Sequence, residues 1–357
     1  MSMTKRDTVV PLPCPIIFYT IECGIELKKA QFLKPRSRYT ERMTRENLIN
    51  TTRAILAKAG YDVSSALALR SICFDVVGRK DDKLLIIKIL SNVDAFSRDN
   101  ADEMKILADA LCASPLLIGE RSSSGELEPG IVYSRFNIPI LSNETLADHL
   151  LEEVPPFIFA APGGLYVKLD SSLLRAIREE RGISLGSLAE IAGVSRRTIQ
   201  MYETGMGAMI DAAMRLEEFL DVPIIEPVDP FEYKHENRKG EYELSGDQRT
   251  DSIILNHLLD IGYSVTPVTK SPFEALSRDK NMIILTSTDS DMERIMNKMR
   301  IASDISRISG RPSVIIVEKD RGLEDVRFTA VVTKDELKKI DDKNDLTDMV
   351  MSRSKVE

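Results

Sequence analysis

Cysteine and histidine are scarce in this 357-residue chain: four cysteines (Cys14, Cys23, Cys73, Cys112) and three histidines (His149, His235, His257). No two cysteines form a Cys-x-x-Cys pair, and no histidine stands at metal-ligand spacing from a cysteine. A zinc site and a disulfide framework are therefore not expected, and reduced thiols in the cytoplasm are. Long apolar runs are also absent. The best candidate, Pro13-Cys14-Pro15-Ile16-Ile17-Phe18-Tyr19-Thr20-Ile21, falls short of the roughly 20 residues that span a bilayer. It has two prolines and no small-residue cleavage site, so it is not read as a signal peptide either, and no membrane partner is expected. No glycine-rich phosphate loop is present, and no nucleotide or other cofactor is expected. Positive charge is short as well. With 48 Lys+Arg against 56 Asp+Glu the net charge is −8. The overall field does not hold the chain to nucleic acid or membrane, so any such binding needs a local basic surface.

What is present is enough apolar residue, 43%, for packed cores. The length suits two or three domains. Residues 1–42 show no sustained period and read as an N-terminal extension, disordered or belonging to an over-extended start, with translation beginning at Met43. A helix follows: Leu48, Ile49, Thr52, Ile55, Leu56 and Ala59 recur at helical spacing and Gly60 ends it. Short branched strands and helices then give an α/β domain over 43–154. Its Leu84-Leu-Ile-Ile87 is a continuous apolar run, as in a strand covered on both faces. A hairpin connector is expected at 155–169, a wholly helical domain at 170–225, and a Pro- and charge-rich linker at 226–250. A second α/β domain follows at 251–342, then a charged, fraying tail at 343–357.

The two α/β segments share an order of features. Ala59-Gly60-Tyr61-Asp-Val63 matches Ile261-Gly262-Tyr263-Ser-Val265, and Cys73-Phe74-Asp75 matches Pro272-Phe273-Glu274. The turn Gly78–Asp82 matches Ser277–Asn281. Leu84–Ile87 then matches Met282–Leu285 if one residue is gapped in the turn. The shared Gly-Tyr helix ends and turns argue for an internal duplication.

The sharpest motif lies between. Leu188-Ala189-Glu-Ile-Ala192-Gly193-Val194-Ser195-Arg196-Arg197-Thr198-Ile199-Gln200-Met201-Tyr202-Glu-Thr-Gly205 reads as two helices around a glycine turn. Asp170 or Ser171 caps a preceding helix that Gly182 ends, and Ser184 and Ser195 cap the next two. Leu188, Ala192, Val194, Ile199 and Tyr202 form a shared core. This string resembles the phage-repressor (Cro-type) helix-turn-helix family over about 55 residues, with a fourth helix at 210–220. The resemblance implies that Arg196, Arg197, Thr198, Gln200 and Met201 face DNA, with Arg suited to guanine and Gln to adenine. It implies that Ser187 and the helix amino ends, Ser195 among them, touch phosphates. Leu185 stands where relatives often place a DNA-contacting Gln, a departure that removes a contact there. From 168 to 224 there are seven Lys+Arg against nine Asp+Glu. Such a module binds DNA only if its basic residues share one face.

The order helix, strand, hairpin, strand, helix, strand resembles the restriction-endonuclease-like fold. That fold implies a metal-holding Asp on one strand and acid-x-Lys on the next. Here Asp75 and Lys88 fit, but Ile86 replaces the acid, and the second copy offers Glu274 and then Ile284-Leu285-Thr286. Hydrolysis is therefore expected to be lost, leaving no catalytic or metal-binding residues. Asp75 and Lys88 remain either strand-end surface charges or a relic that binds an anion. The whole order, with Gly-Gly-Leu-Tyr-Val at 163–167, resembles the archaeal HTH-type transcriptional regulators over about 43–340, and Met43-Thr-Arg-Glu-Asn-Leu resembles the start of their members.

The expected fold is thus multidomain α/β plus all-α: two related, degenerate nuclease-like domains flanking a repressor-type helix-turn-helix. The expected function is a non-enzymatic, sequence-specific DNA-binding regulator, cytoplasmic and homodimeric on double-stranded DNA, with room for an effector or protein partner. The rivals are a metal-dependent nuclease carrying its own DNA-binding domain, and a helical module that binds protein instead of DNA. The start-site expectation predicts that the protein isolated from its native host has an intact mass beginning at Met43. A mass matching all 357 residues sinks it.

Overall fold

The computed structural model describes residues 44–66, 72–235, 242–279, 282–289, 291–318 and 328–354. The expectation for 1–42 lies outside these. Helix α1 (Arg45–Lys58) is capped by Thr44, whose side chain accepts from the Asn47 N–H, and it leads into strands β1 (Asp62–Val63), β2 (Val76–Lys80) and β3 (Lys83–Asn92). Helix α2 (Arg98–Leu111) crosses to β4 (Ser114–Ser122). After the short β5 (Gly125–Glu126) come β6 (Ile131–Arg135), β7 (Ile138–Leu141) and α3 (Asn143–Leu151). The order β1-β2-β3-β4-β7 is antiparallel, antiparallel, parallel, parallel. Side chains along β3 alternate faces, as a pleated strand requires. Leu85, Ile87 and Ile89 pack with α1 and α3, while Leu84 and Ile86 face the other way toward α2.

The second unit repeats this plan with α8 (Ile253–Asp260), β12 (Ser264–Pro267), β13 (Ala275–Asp279), β14 (Met282–Asp289), α9 (Met292–Ser309), β15 (Ser313–Val317), β16 (Thr329–Thr333) and α10 (Lys334–Leu337). Its order β12-β13-β14-β15-β16 has the same directions. The hairpins are in identical register: Lys80 pairs with Lys83, and Asp279 with Met282. No gap is needed in the turn, so the expected match of Leu84 with Met282 is one residue out. Leu84 corresponds to Ile283, and the counterpart of Ile86-Ile87-Lys88 is Leu285-Thr286-Ser287. Two equally apolar runs can be slid past each other by one residue without penalty in the sequence, but the ladder of hydrogen bonds fixes the register.

The inner faces of the two units cover each other. Phe74, Leu84, Ile86 and Met104 share one core with Phe273, Leu276, Leu285 and Ile305. Reciprocal clasps close the contact. Glu103 of α2 accepts from the Thr269 N–H (2.9 Å), the Thr269 hydroxyl (2.8 Å) and the Lys270 N–H. Asp304 of α9 accepts from the Ser65 N–H (2.5 Å) and hydroxyl (2.7 Å). Burial works to raise the Asp304 carboxyl, but the Ser65 bonds and Arg307 outweigh it and hold it below the usual carboxylate range. Burial pushes the thiol of Cys73, in the same shared core, well above its ordinary value, so it stays protonated and inert.

Between the units, β8 (Ile158–Ala161) and β9 (Gly164–Leu169) form the expected hairpin, and it extends the first sheet. β6 pairs with β8 in parallel and β8 with β9 antiparallel. β9 then takes on β10 (Ala208–Met209) and β11 (Ile225–Glu226), both from the helical domain. That domain has four helices: α4 (Ser171–Glu180), α5 (Leu185–Ala192), α6 (Arg196–Tyr202) and α7 (Ile210–Leu220). Val167 and Leu169 of β9 lie in its core.

The stretch expected as a free linker is anchored in its first part. The Val228 N–H donates to the Pro156 carbonyl, Phe231 is buried, and the Ser114 hydroxyl donates to the Phe231 carbonyl at 2.7 Å. The tail also departs from expectation: α11 (Lys343–Ser354) packs on the second sheet with Leu346, Val350 and Ser354 buried. Its charges hide three inward residues that helical spacing puts on one face. Arg353 donates to Glu336 at 2.7 Å and, with the Thr333 bonds, holds that carboxyl down at about 2. Leu346→Ala should lower the unfolding free energy by about 2–5 kcal/mol in chemical denaturation. A change below about 0.5 kcal/mol, as for a surface position, would mean the helix does not pack.

Candidate nucleic-acid interface

The helix-turn-helix is built from caps and one glycine. Asp170 caps α4, accepting from the Leu173 N–H at 2.9 Å and from the Ser172 hydroxyl at 2.6 Å. These bonds hold its carboxyl below the ordinary range, the Ser172 hydroxyl contributing most. Ser184 caps α5 through the Ser187 N–H (3.0 Å) and Ser195 caps α6 through the Thr198 N–H (3.1 Å). Each such cap contributes about 1 kcal/mol. Gly193 ends α5 at φ +69°, a left-handed angle that costs glycine little. Leu188, Ala189 and Ala192 of α5 and Ile199 and Tyr202 of α6 turn inward onto Leu174, Ile177, Ala213 and Leu216.

Two further ties set the angle of α6. Arg178 on α4 makes a two-point contact with Glu203, at 2.5 and 3.0 Å, with both side chains largely buried. The Glu203 hydrogen bonds raise the pKa of Arg178 beyond its already high value. The Ser171 hydroxyl donates to the Tyr202 carbonyl at 2.5 Å. Neither tie was anticipated from the sequence, although the Tyr-Glu pair ending the repressor-like string was its only available sign.

With the inner face fixed, the outer face of α6 presents the expected residues together. Arg196, Arg197, Gln200 and Met201 are exposed. Thr198 is half-buried, its hydroxyl 2.8 Å from that of Ser195, and Ser187 is exposed with its hydroxyl 2.9 Å from that of Ser184. Leu185, the departure from the family pattern, packs against the core instead of facing outward.

The arginines of this domain differ in their partners. Arg175 pairs with Glu179 (3.0 Å), Arg178 with Glu203, Arg181 with the Leu220 carbonyl (2.8 Å) and Arg215 with the Asp211 carbonyl (3.1 Å). Arg196 and Arg197 have no hydrogen-bond or ion-pair partner among the described residues. Of the nine carboxylates from 168 to 224, Asp170, Glu179, Glu203 and Glu217 are engaged. Glu217, for example, accepts from the Ile224 and Ile225 N–H groups at 3.0 and 2.9 Å. The module is net acidic, but its two unpaired arginines are the first two residues of α6.

The nuclease-like site has a different character. Asp75 is fully buried and Lys88 is 6% exposed, so they are not surface charges. Asp75 Oδ1 accepts from Arg45 (2.6 Å) and Lys88 (3.2 Å), and Oδ2 from the Ile89 N–H (2.8 Å). Lys88 also donates to the Ile72 carbonyl at 2.7 Å. Ile86 lies in the core shared by the two units. In the second unit Glu274 repeats the strand contact, accepting from the Thr288 N–H at 2.7 Å, and pairs with Lys298. These residues do not fit a Mg²⁺ site. A hard cation needs several free oxygens, and the one carboxylate here is saturated by two cations and an amide. Among the described residues no group of three or more His, Cys, Asp or Glu is placed to hold a metal. Among them, too, no helix is long and apolar enough to cross a membrane.

Comparison with known proteins follows the same division. Residues 45–156 match the PD-(D/E)XK superfamily domain and residues 174–226 match a helix-turn-helix family. No solved structure matches the chain. Relatives do so over nearly their whole length, and each is provisionally named an HTH-type transcriptional regulatory protein. One from Methanocella arvoryzae is 40% identical over 315 residues, 87% of this chain and 97% of its own. One from Haloarcula marismortui is 38% identical, covering 87% and 98%, and one from Methanosarcina barkeri is 37% identical, covering 87% and 98%. Sharing this order of domains and this identity along most of its length, the chain belongs to the archaeal family of HTH-type transcriptional regulatory proteins.

Proposed function

We propose that this protein is a sequence-specific, DNA-binding transcriptional regulator without catalytic activity, acting in the cytoplasm as a homodimer. The observation that carries the reading is the pair Arg196 and Arg197, exposed and unpaired among the described residues, at the amino end of a helix whose opposite face is locked into a core. That end of a reading helix is the part that meets base edges in the major groove. Arg196, Arg197, Gln200 and Met201 would face bases, and Ser187, Ser195 and Thr198 the backbone. One such helix reads a short half-site, so two chains on a pseudo-palindrome are expected. The α/β units already cover each other within one chain, so pairing of two chains would use another surface.

Selection from random and genomic DNA by the full chain should enrich a two-fold motif with half-sites about one helical turn apart. Arg196→Ala with Arg197→Ala should weaken binding to it on the order of 100-fold, and wild-type affinity should fall steeply with salt. Unchanged specific binding in the double variant removes the assignment of α6. A shallow salt dependence favours a module that binds protein.

The relic site supports a structural role for Asp75. Asp75→Ala should lower stability by about 3 kcal/mol in denaturation, because it strands Lys88 as a buried unpaired charge, and should leave the selected DNA motif unchanged. Mg²⁺-dependent cutting by the wild type that Asp75→Ala abolishes would return the protein to the nucleases.

A further inference from the structure

A glycine at the second position of α5 has no backbone reason to be there. Gly186 does not carry a positive φ, and alanine is the better helix former in ordinary helical geometry. Its neighbour explains it. A Cβ added at Gly186 would stand 3.0 Å from both Nε and an Nη of Arg196 and 3.3 Å from its Cζ. The guanidinium of the first residue of α6 therefore stands over the first turn of the neighbouring helix, its Nε–Nη edge nearest, closer than a side chain at residue 186 would ordinarily allow. No carboxylate holds it there among the described residues. It also sits by the positive end of the α5 dipole, which repels a cation. The seat is thus one of shape, and an acceptor on DNA would relieve the charge.

We propose that Gly186 is a positioning residue for specificity: the side chain it lacks seats Arg196 so that the guanidinium reaches one guanine in each half-site from a preset geometry. This rests on the DNA-reading role of α6. A guanidinium ordered before binding loses less rotamer freedom on contact, and its two-point bond to guanine tolerates little displacement. An alanine methyl would shift the Arg196 guanidinium by a few tenths of an ångström, enough to disturb a two-point contact. The fold is not at risk, because the atoms it meets are the far end of a flexible side chain.

The experiment is sequence selection and affinity measurement with the full chain, as wild type, Gly186→Ala, Arg196→Ala and both together, with thermal melts alongside. The wild type should prefer guanine at one position per half-site. Arg196→Ala should lose that preference by about ten-fold or more. Gly186→Ala should lose at least about three-fold at the same position and nothing elsewhere, with Tm no lower, and should add nothing in the Arg196→Ala background. Wild-type preference retained in Gly186→Ala, an even loss at every position, or a further loss in the double variant overturns the inference while leaving the DNA-reading role intact. A wild type that selects no sequence overturns both.

Discussion

The pairing of β9 with its neighbours is the constraint on which the arrangement of this protein depends. β9 bonds to β8 on one side, which continues the first α/β sheet, and to β10 and β11 from the helical domain. A hydrogen-bonded sheet has no hinge where it is continuous, so the reading helix inherits its direction from the α/β unit. Gly207 makes the approach possible: a Cβ there would meet the Phe159 ring at 2.6 Å and the Val167 carbonyl at 3.3 Å. Phe159 also packs on the core under α1 and α3, and stacks on Tyr166 of β9 at 6.0 Å. One aromatic side chain thus carries contact from the first unit to the loop after α6. The strap at 226–235 returns along the same unit and adds a second attachment. These contacts join the α/β unit to the helical domain without a free linker between them.

The apolar residue at position 86 has a physical logic of its own. With Ile86 in place of a carboxylate, the strand can point an apolar side chain into the core shared by the two units. Lys88 is then surplus positive charge at a buried position, and Asp75 becomes its counter-charge instead of a metal ligand. Arg45 closes over the pair. In the second unit Ser287 stands at the place of Lys88, and Glu274, at the place of Asp75, turns to Lys298. Both units keep the carboxylate's bond to the next strand, at Ile89 and Thr288, because that bond ties β2 to β3 and β13 to β14 whatever the site does. The carboxylate thus serves the fold in both units.

Legibility in the sequence followed the range of the forces involved. The helix-turn-helix was readable because its signals are local: serine caps, one left-handed glycine, and inward residues at helical spacing. The duplication was readable from Gly60-Tyr61 and Gly262-Tyr263, but its register was not, since runs of Leu and Ile carry no marker of which residue pairs with which. Nor could the sequence show the two units sharing a core. Phe74 and Phe273 look like ordinary interior residues of separate domains, and only tertiary contact joins them. The final helix was hidden by composition, because Leu346 and Val350 are few among charges and yet suffice where Tyr263 receives them, its hydroxyl 2.6 Å from that of Thr347.

Net charge misleads about the helical domain for a reason that extends to other acidic regulators. What a duplex phosphate meets is the local field within a Debye length of about 8–10 Å, not the sum over the domain. Here acids outnumber bases, but four of the nine are engaged inside the module. Glu203 is consumed by Arg178, Glu179 by Arg175, Glu217 by two backbone amides, and Asp170 by a helix cap. Each engaged carboxylate is held by bonds within the fold. The arginines that remain unpaired are the two that the cap at Ser195 places first on α6. Pairing inside the module therefore offsets part of its acidic charge and occupies every basic residue but Arg196 and Arg197, which leaves these two as its unpaired positive charges among the described residues.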